Sequence, residues 1–135
     1  MPKILVIDDS RYTRLPIVKF LASNGFEVLE AENGLLGLDV LKKEKPDAVI
    51  TDLLMPEMDG YELLERLRSD GSQVPVIVIT ADIQDSTREK VLQSGARAVM
   101  NKPANLTNLL ELLSGRPQDV EEICLYRLFK NVHPP

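Results

Sequence analysis

Three aspartates, a threonine and a lysine each stand at the end of a short apolar run. KILVIDDS ends in Asp8 and Asp9, DAVITD in Asp52, VPVIVITA in Thr80 with its alanine, and ARAVMNKP in Lys102. Carboxylates gathered in one crevice repel. At ~4 Å and an effective dielectric of ~20, each pair of unit charges costs roughly 4 kcal/mol before relaxation, so something must neutralise them. A hard divalent cation that accepts a few carboxylates, keeps waters and bridges to phosphate is Mg²⁺. No histidine or cysteine lies near these segments, which disfavours zinc. Lys102 supplies a positive charge for a carboxylate or for an anion placed on it, and the Thr80 hydroxyl can donate to that anion's oxygen. This set suits phosphoryl transfer to a carboxylate, with the metal and Lys102 spreading the developing charge.

Such convergence needs elements that deliver all five residues to one edge. A strand buried on both faces reads as an unbroken Val/Ile/Leu run, and open α/β sheets place their sites at the carboxyl ends of such strands. The pattern predicts strands over Lys3 to Ile7, Glu27 to Ala31, Asp47 to Thr51, Val76 to Ile79 and Ala98 to Met100. Between them it predicts helices over Ser10 to Ser23, Gly34 to Lys43, Tyr61 to Ser69, Asp85 to Gln93 and Leu106 to Leu113. Asn24-Gly25, Pro46, Asp70-Gly71 and Ser94-Gly95 punctuate the alternation. In the first helix, Leu15, Val18, Phe20, Leu21 and Ala22 supply most of the apolar surface. Pro16 conflicts with a helix interior, where it costs up to ~3 kcal/mol, so the regular helix is expected to start late, with Pro16 near its first turn. Five successive βα units make a doubly wound parallel sheet.

The chain has 135 residues, 44% of them hydrophobic, which is enough for one core. A net charge of −5 without a dense Lys/Arg run argues against a nucleic-acid groove or an anionic membrane surface as partner. The apolar stretch of MPKILVIDDS is too short for a signal peptide, and no run approaches the roughly 20 apolar residues that span a bilayer. The single cysteine, Cys124, excludes an internal disulfide and suits a reducing cytosol; a cytoplasmic location is expected.

The string ILVIDDS, Asp52 followed by LLMPEMDG, the pair Thr80-Ala81 and the dipeptide Lys102-Pro103 resemble the receiver domain of bacterial two-component response regulators, the CheY-like superfamily. The resemblance runs from Lys3 to about Leu113. It implies a flavodoxin-like (βα)5 sheet of five parallel strands and a nucleophile, Asp52, that takes phosphate from the phosphohistidine of a histidine kinase or phosphotransfer protein. It further implies that Asp9 and Asp52 bind Mg²⁺ directly, that the backbone carbonyl of Leu54 completes the protein ligands, and that Asp8 acts largely through water. Thr80 and Lys102 are then the residues that hold the phosphoryl oxygens. Lys102-Pro103 is expected to be cis, and Met55-Pro56 with Asp59-Gly60 to shape the loop after Asp52. On this view the chain is a phosphoacceptor signalling protein rather than an enzyme.

Two positions depart from that family's habit. Val99 stands where an aromatic often turns inward on activation, and Ala104 where an aromatic often follows the Lys-Pro pair. Coupling is therefore expected to use backbone and loop motion. Domain limits are read as a receiver over 1–115 and a C-terminal extension over 116–135. Gln118 to Val132 carries Val120, Ile123, Cys124, Leu128 and Val132 on one helical face, widened by Leu125 and Phe129. That extra helix is expected to dock on its own domain or on a partner, a second copy included; His133 near the end is read as solvated. The output then runs through protein contacts to a target the sequence does not name.

Two rival classes share parts of this pattern. A phosphatase of the haloacid-dehalogenase type also uses a strand-end aspartate and Mg²⁺, but needs a second aspartate where Leu54 stands. A flavin mononucleotide carrier needs a Ser/Thr-rich phosphate loop where Asp8 and Asp9 would repel the ligand. A receiver-like module that is never phosphorylated is the third alternative.

Overall fold

The structure, a computed structural model, describes residues 2–82 and 84–114. The helix expected over Gln118 to Val132, with Cys124 and His133, lies outside the described residues. Five strands alternate with five helices: β1 (Lys3–Ile7), α1 (Arg11–Ser23), β2 (Glu27–Ala31), α2 (Gly34–Glu44), β3 (Ala48–Asp52), α3 (Gly60–Ser69), β4 (Val76–Thr80), α4 (Asp85–Gln93), β5 (Ala98–Asn101) and α5 (Leu106–Ser114). β3, β4 and β5 each run one residue beyond the apolar stretch, so Asp52 and Thr80 close their strands rather than follow them.

All neighbours are parallel and the order is β2-β1-β3-β4-β5. The chain steps outward from β1 to β2 and then crosses back to β3, so the order reverses between β1 and β3, where doubly wound sheets open a crevice. Register does the rest. Ile7 pairs with Thr51, which brings the next residues, Asp8 and Asp52, out side by side. Thr80 pairs with Asn101, one residue before Lys102.

Successive side chains of a strand alternate between faces, and here both faces are covered. Leu5, Ile7, Val49 and Val78 face Leu38 of α2, Leu63, Leu64 and Leu67 of α3 and Val91 of α4. Ile4, Val6, Ile50, Ile77 and Ile79 face Ile17 and Leu21 of α1 with Leu109 and Leu112 of α5. Double burial is the reason these strands read as continuous apolar runs.

Pro16 lies inside α1, contrary to the late start expected from it. Ser10 caps the helix, accepting the Thr13 N–H at 3.4 Å, and the helix is regular from Arg11. A proline there leaves the carbonyl of Tyr12 without its helical donor. Tyr12 is 93% exposed, so water replaces the lost bond at little cost. The buried face of α1 is Ile17 and Leu21, one turn apart, while Ala22 is exposed.

The loop after β3 is pressed between two helix starts. A Cβ on Gly34, first in α2, would stand 2.6 Å from the Met58 carbonyl oxygen, and one on Gly60, first in α3, 3.0 Å from that of Asp52. The Gly60 N–H donates to Leu53 at 2.7 Å, closing the loop. Asp59 caps α3 through the Glu62 N–H at 2.9 Å. Small residues at these two points let the loop fold back under Asp52, the shaping role expected of Asp59-Gly60.

Candidate functional site

Asp8, Asp9 and Asp52 meet at the carboxyl edge of β1 and β3. One carboxylate oxygen from each lies within 4.8 Å of the others, with Asp8 and Asp52 buried and Asp9 exposed. Lys102 reaches in from beyond β5. Its ammonium donates to Asp52 Oδ2 at 3.0 Å and stands 3.4 Å from Asp8 Oδ2. The remaining oxygens are partly held by main chain: Asp8 Oδ1 accepts the Ser10 N–H and Asp52 Oδ1 the Leu53 N–H, both at 2.8 Å. The peptide between Lys102 and Pro103 is cis.

Burial pushes the Asp8 carboxyl above its ordinary value, the charge of Asp52 adds to the rise, and the Ser10 N–H and Lys102 oppose it. For Lys102 burial works downward, but the hydrogen bond to Asp52 and the charges of Asp52 and Asp8 outweigh it and raise the ammonium's pKa. Three acids around a single cation leave an excess of negative charge. Hard oxygens at this spacing, with no histidine or cysteine in the cluster, fit Mg²⁺.

Thr80 is buried at the end of β4. Its hydroxyl accepts the Asp82 N–H at 3.1 Å, which leaves its own proton to donate. Backbone pairing ties the same strand end to the lysine, since the Lys102 N–H donates to the Thr80 carbonyl at 2.8 Å. Asp82 in turn accepts the Gln84 N–H at 3.0 Å and the Thr87 hydroxyl of α4 at 2.8 Å. The next residue, Arg88, donates to the Val99 carbonyl of β5 at 3.0 Å. Beside Val99 lies a cavity of about 220 Å³ lined by Arg88, Leu92, Met100, Asn108 and Leu112.

The Asp82 carboxyl is held below the usual carboxylate range, first by the Gln84 N–H and then by the Thr87 hydroxyl. A depressed acid contributes stability that is present above its unfolded pKa and is lost as pH falls through the folded one. Asp82→Ala is therefore expected to melt below the wild type at neutral pH, with the gap closing once pH drops under the ordinary value of 3.8. Parallel thermal melts check this, and a gap that ignores pH contradicts it.

Leu54 is 66% exposed in the loop two residues past Asp52. A cleft of about 530 Å³ opens on the other side of Lys102, between Tyr12, Pro16 and Ile17 of α1 and Pro103, Ala104 and Leu106. Ser10 and Arg14 also touch the site, through the Asp8 carboxylate and the Asp8 carbonyl respectively. Neither stands out in the sequence: Ser10 reads there as part of the first helix, and Arg14 is one of several charged residues on α1.

Comparison with known proteins places this arrangement among relatives. A family described as "Response regulator receiver domain" matches residues 4–114. The chain is 37% identical over 127 residues to the response regulator MprA of Mycobacterium bovis (strain BCG / Pasteur 1173P2), covering 89% of this chain and 54% of the relative. Against MprA of Mycobacterium sp. (strain KMS) it is 41% identical over 110 residues, covering 80% of this chain and 47% of the relative. It thus spans about half the length of these curated relatives. Among solved structures, the receiver domain of the Francisella response regulator 1452 superposes with a TM-score of 0.78 at 27% identity, covering 94% of this chain and 98% of that one. The Vibrio cholerae chemotaxis protein CheY4 gives 0.78 at 29% identity over 84% of this chain and 97% of its own.

Proposed function

This chain belongs to the response regulator receiver domain family, and from that premise we propose that Asp52 accepts a phosphoryl group from a histidine kinase or phosphotransfer protein. The observation that carries the reading is the cluster itself: three strand-end carboxylates with an ammonium 3.0 Å from Asp52. A carboxylate oxygen of Asp52 attacks phosphorus in line with the P–N bond of the donor's phosphohistidine. The P–O bond forms as the P–N bond breaks, and the imidazole leaves with the bonding electron pair and takes up a proton at its ring nitrogen.

Asp8, Asp9, Asp52 and the Leu54 carbonyl would hold Mg²⁺, which supplies positive charge to the phosphoryl oxygens when bound. Lys102 has three donors and already touches Asp52, so its ammonium can follow charge onto a phosphoryl oxygen. Thr80, with its proton free to donate, supplies a second hydrogen bond to the incoming group. Engaging that hydroxyl pulls on the Asp82 N–H bonded to it, and through Thr87 on α4. This loop route supports coupling without an aromatic at position 99. Among the described residues no helix is long and apolar enough to cross a membrane.

The test is incubation with acetyl phosphate and Mg²⁺ followed by intact-mass measurement and mapping of the modified residue. A single phosphoryl group on Asp52 is expected. Catalytic turnover of the donor without a lasting or trapped adduct favours a phosphatase, and no uptake at all favours a receiver-like interaction module.

A further inference from the structure

We propose that Arg14 is a positioning residue for Asp9, acting through the peptide unit that joins Asp8 to Asp9. The proposal rests on the reading of Asp8, Asp9 and Asp52 as a Mg²⁺ site. Asp9 is the exposed member of that cluster, and among the described residues no hydrogen bond or ion pair holds its carboxylate. Its direction is therefore set by the main chain before it.

That main chain is fixed on three sides. The Asp8 N–H continues the sheet by donating to the Ala31 carbonyl at 3.1 Å, and the Asp8 carboxylate accepts the Ser10 N–H. The third restraint is Arg14, whose Nη1 donates to the Asp8 carbonyl. Since that carbonyl and the Asp9 N–H belong to one planar peptide, holding one orients the other. Arg14 is itself aimed by Glu30 on the edge strand β2, where Nε meets Oε1 at 2.8 Å. The Arg14 side chain is 14% exposed and Glu30 is 42% exposed. Glu30 is open to water, which screens the attraction on that side, and what the bond fixes is the direction of the guanidinium. One planar guanidinium serves two acceptors, one on β2 and one just past the end of β1, which a lysine's single nitrogen does not reproduce.

Charge and geometry make opposite predictions. A guanidinium beside a cation site repels the cation, so a purely coulombic role means tighter Mg²⁺ binding once Arg14 is gone. A positioning role means weaker binding, and residues behind metal ligands typically alter affinity by about tenfold or more.

The experiment titrates Mg²⁺ alone into the full chain by calorimetry, for wild type, Arg14→Ala, Arg14→Lys and Asp9→Ala, with the Asp9 amide followed by NMR in the metal-free protein. The expected result is affinity about tenfold weaker for Arg14→Ala. Arg14→Lys, which keeps the charge, also weakens binding and displaces the Asp9 amide. On the Asp9→Ala background the Arg14 effect disappears, because residues that act through one another are not additive. Unchanged or tighter binding overturns the proposal, as does full rescue by lysine or a loss that simply adds to that of Asp9→Ala. A lower melting temperature with unmoved affinity and amide shift marks a purely structural arginine. Should the wild type bind no Mg²⁺, the metal reading fails, while the Asp9 amide in metal-free Arg14→Lys still reports whether Arg14 positions it.

Discussion

Acetyl phosphate supplied with Mg²⁺ is expected to leave Asp52→Asn without a phosphoryl group, while the wild-type chain gains one. The amide keeps an oxygen for the Leu53 N–H, which now donates to Asp52 Oδ1 at 2.8 Å, so the loop after β3 keeps its anchor. What it lacks is the negatively charged nucleophile. It also removes one of the three clustered carboxylates, and with it one of the two that contact Lys102. The relieved repulsion, roughly 4 kcal/mol per close pair before relaxation, and the lost attraction to Lys102 are opposite in sign and similar in size, so the metal-free variant should melt close to the wild type. Uptake by the variant at the wild-type rate would falsify the assignment and move the acceptor elsewhere. A variant that fails to fold is recognised by its melt and is kept apart from a chemical defect.

The second large effect is expected from Lys102→Met in the absence of metal. Methionine keeps the length and apolar stem but withdraws the ammonium from between Asp8 and Asp52, whose side chains are 5% and 10% exposed. Breaking a buried ion pair by removing one partner leaves a charge uncompensated and costs about 3 to 5 kcal/mol. Lys102 is itself 21% exposed, so water and protonation of Asp8 offset part of that, and a loss of about 3 kcal/mol is expected in chelator. Urea unfolding measures it. Added Mg²⁺ should then restore more stability to the variant than it adds to the wild type, because the cation replaces the missing positive charge and binds only the folded site. Equal stability in chelator would show that the two aspartates do not depend on the lysine.

The reach of the sequence differs from element to element. Buried parallel strands announce themselves as apolar runs, and a polar residue ending such a run must surface at the sheet's edge. Asp8, Asp9, Asp52, Thr80 and Lys102 were all legible on that ground, as was the alternation of elements; the strand order that reverses between β1 and β3 comes from the structure. Pro16 was not. Its propensity argues against a helix interior, yet Ile17 and Leu21 are buried on the sheet and outweigh it. The Asp82–Thr87 and Arg14–Glu30 pairs are invisible for a different reason. Polar pairs follow no period, and Arg14 and Glu30 become neighbours only when β2 is laid beside β1. The cavity beside Val99 was legible only as a missing aromatic, since its lining comes from α4, β5 and α5 together.

The helices are not equally expensive to displace. α3 buries Leu63, Leu64 and Leu67, and at 1.5 to 3 kcal/mol for each large apolar side chain, shifting it off the sheet would cost on the order of 5 kcal/mol or more. α4 buries only Val91, and its N-cap residue Gln84 makes no side-chain capping bond. Leu92 adds a partly buried apolar contact, and the rest of its attachment is polar: Thr87 to Asp82, Arg88 to Val99, the Gln93 carbonyl to Arg68, and Lys90 stacked 4.6 Å over the Tyr61 ring. Polar contacts of this kind can be exchanged for water or for a new set of partners at a small net difference. On the one face of the sheet that these two helices share, α3 is thus a fixed frame and α4 a hinged panel, and the panel is the one whose latch, Asp82, is hydrogen-bonded to the hydroxyl of Thr80.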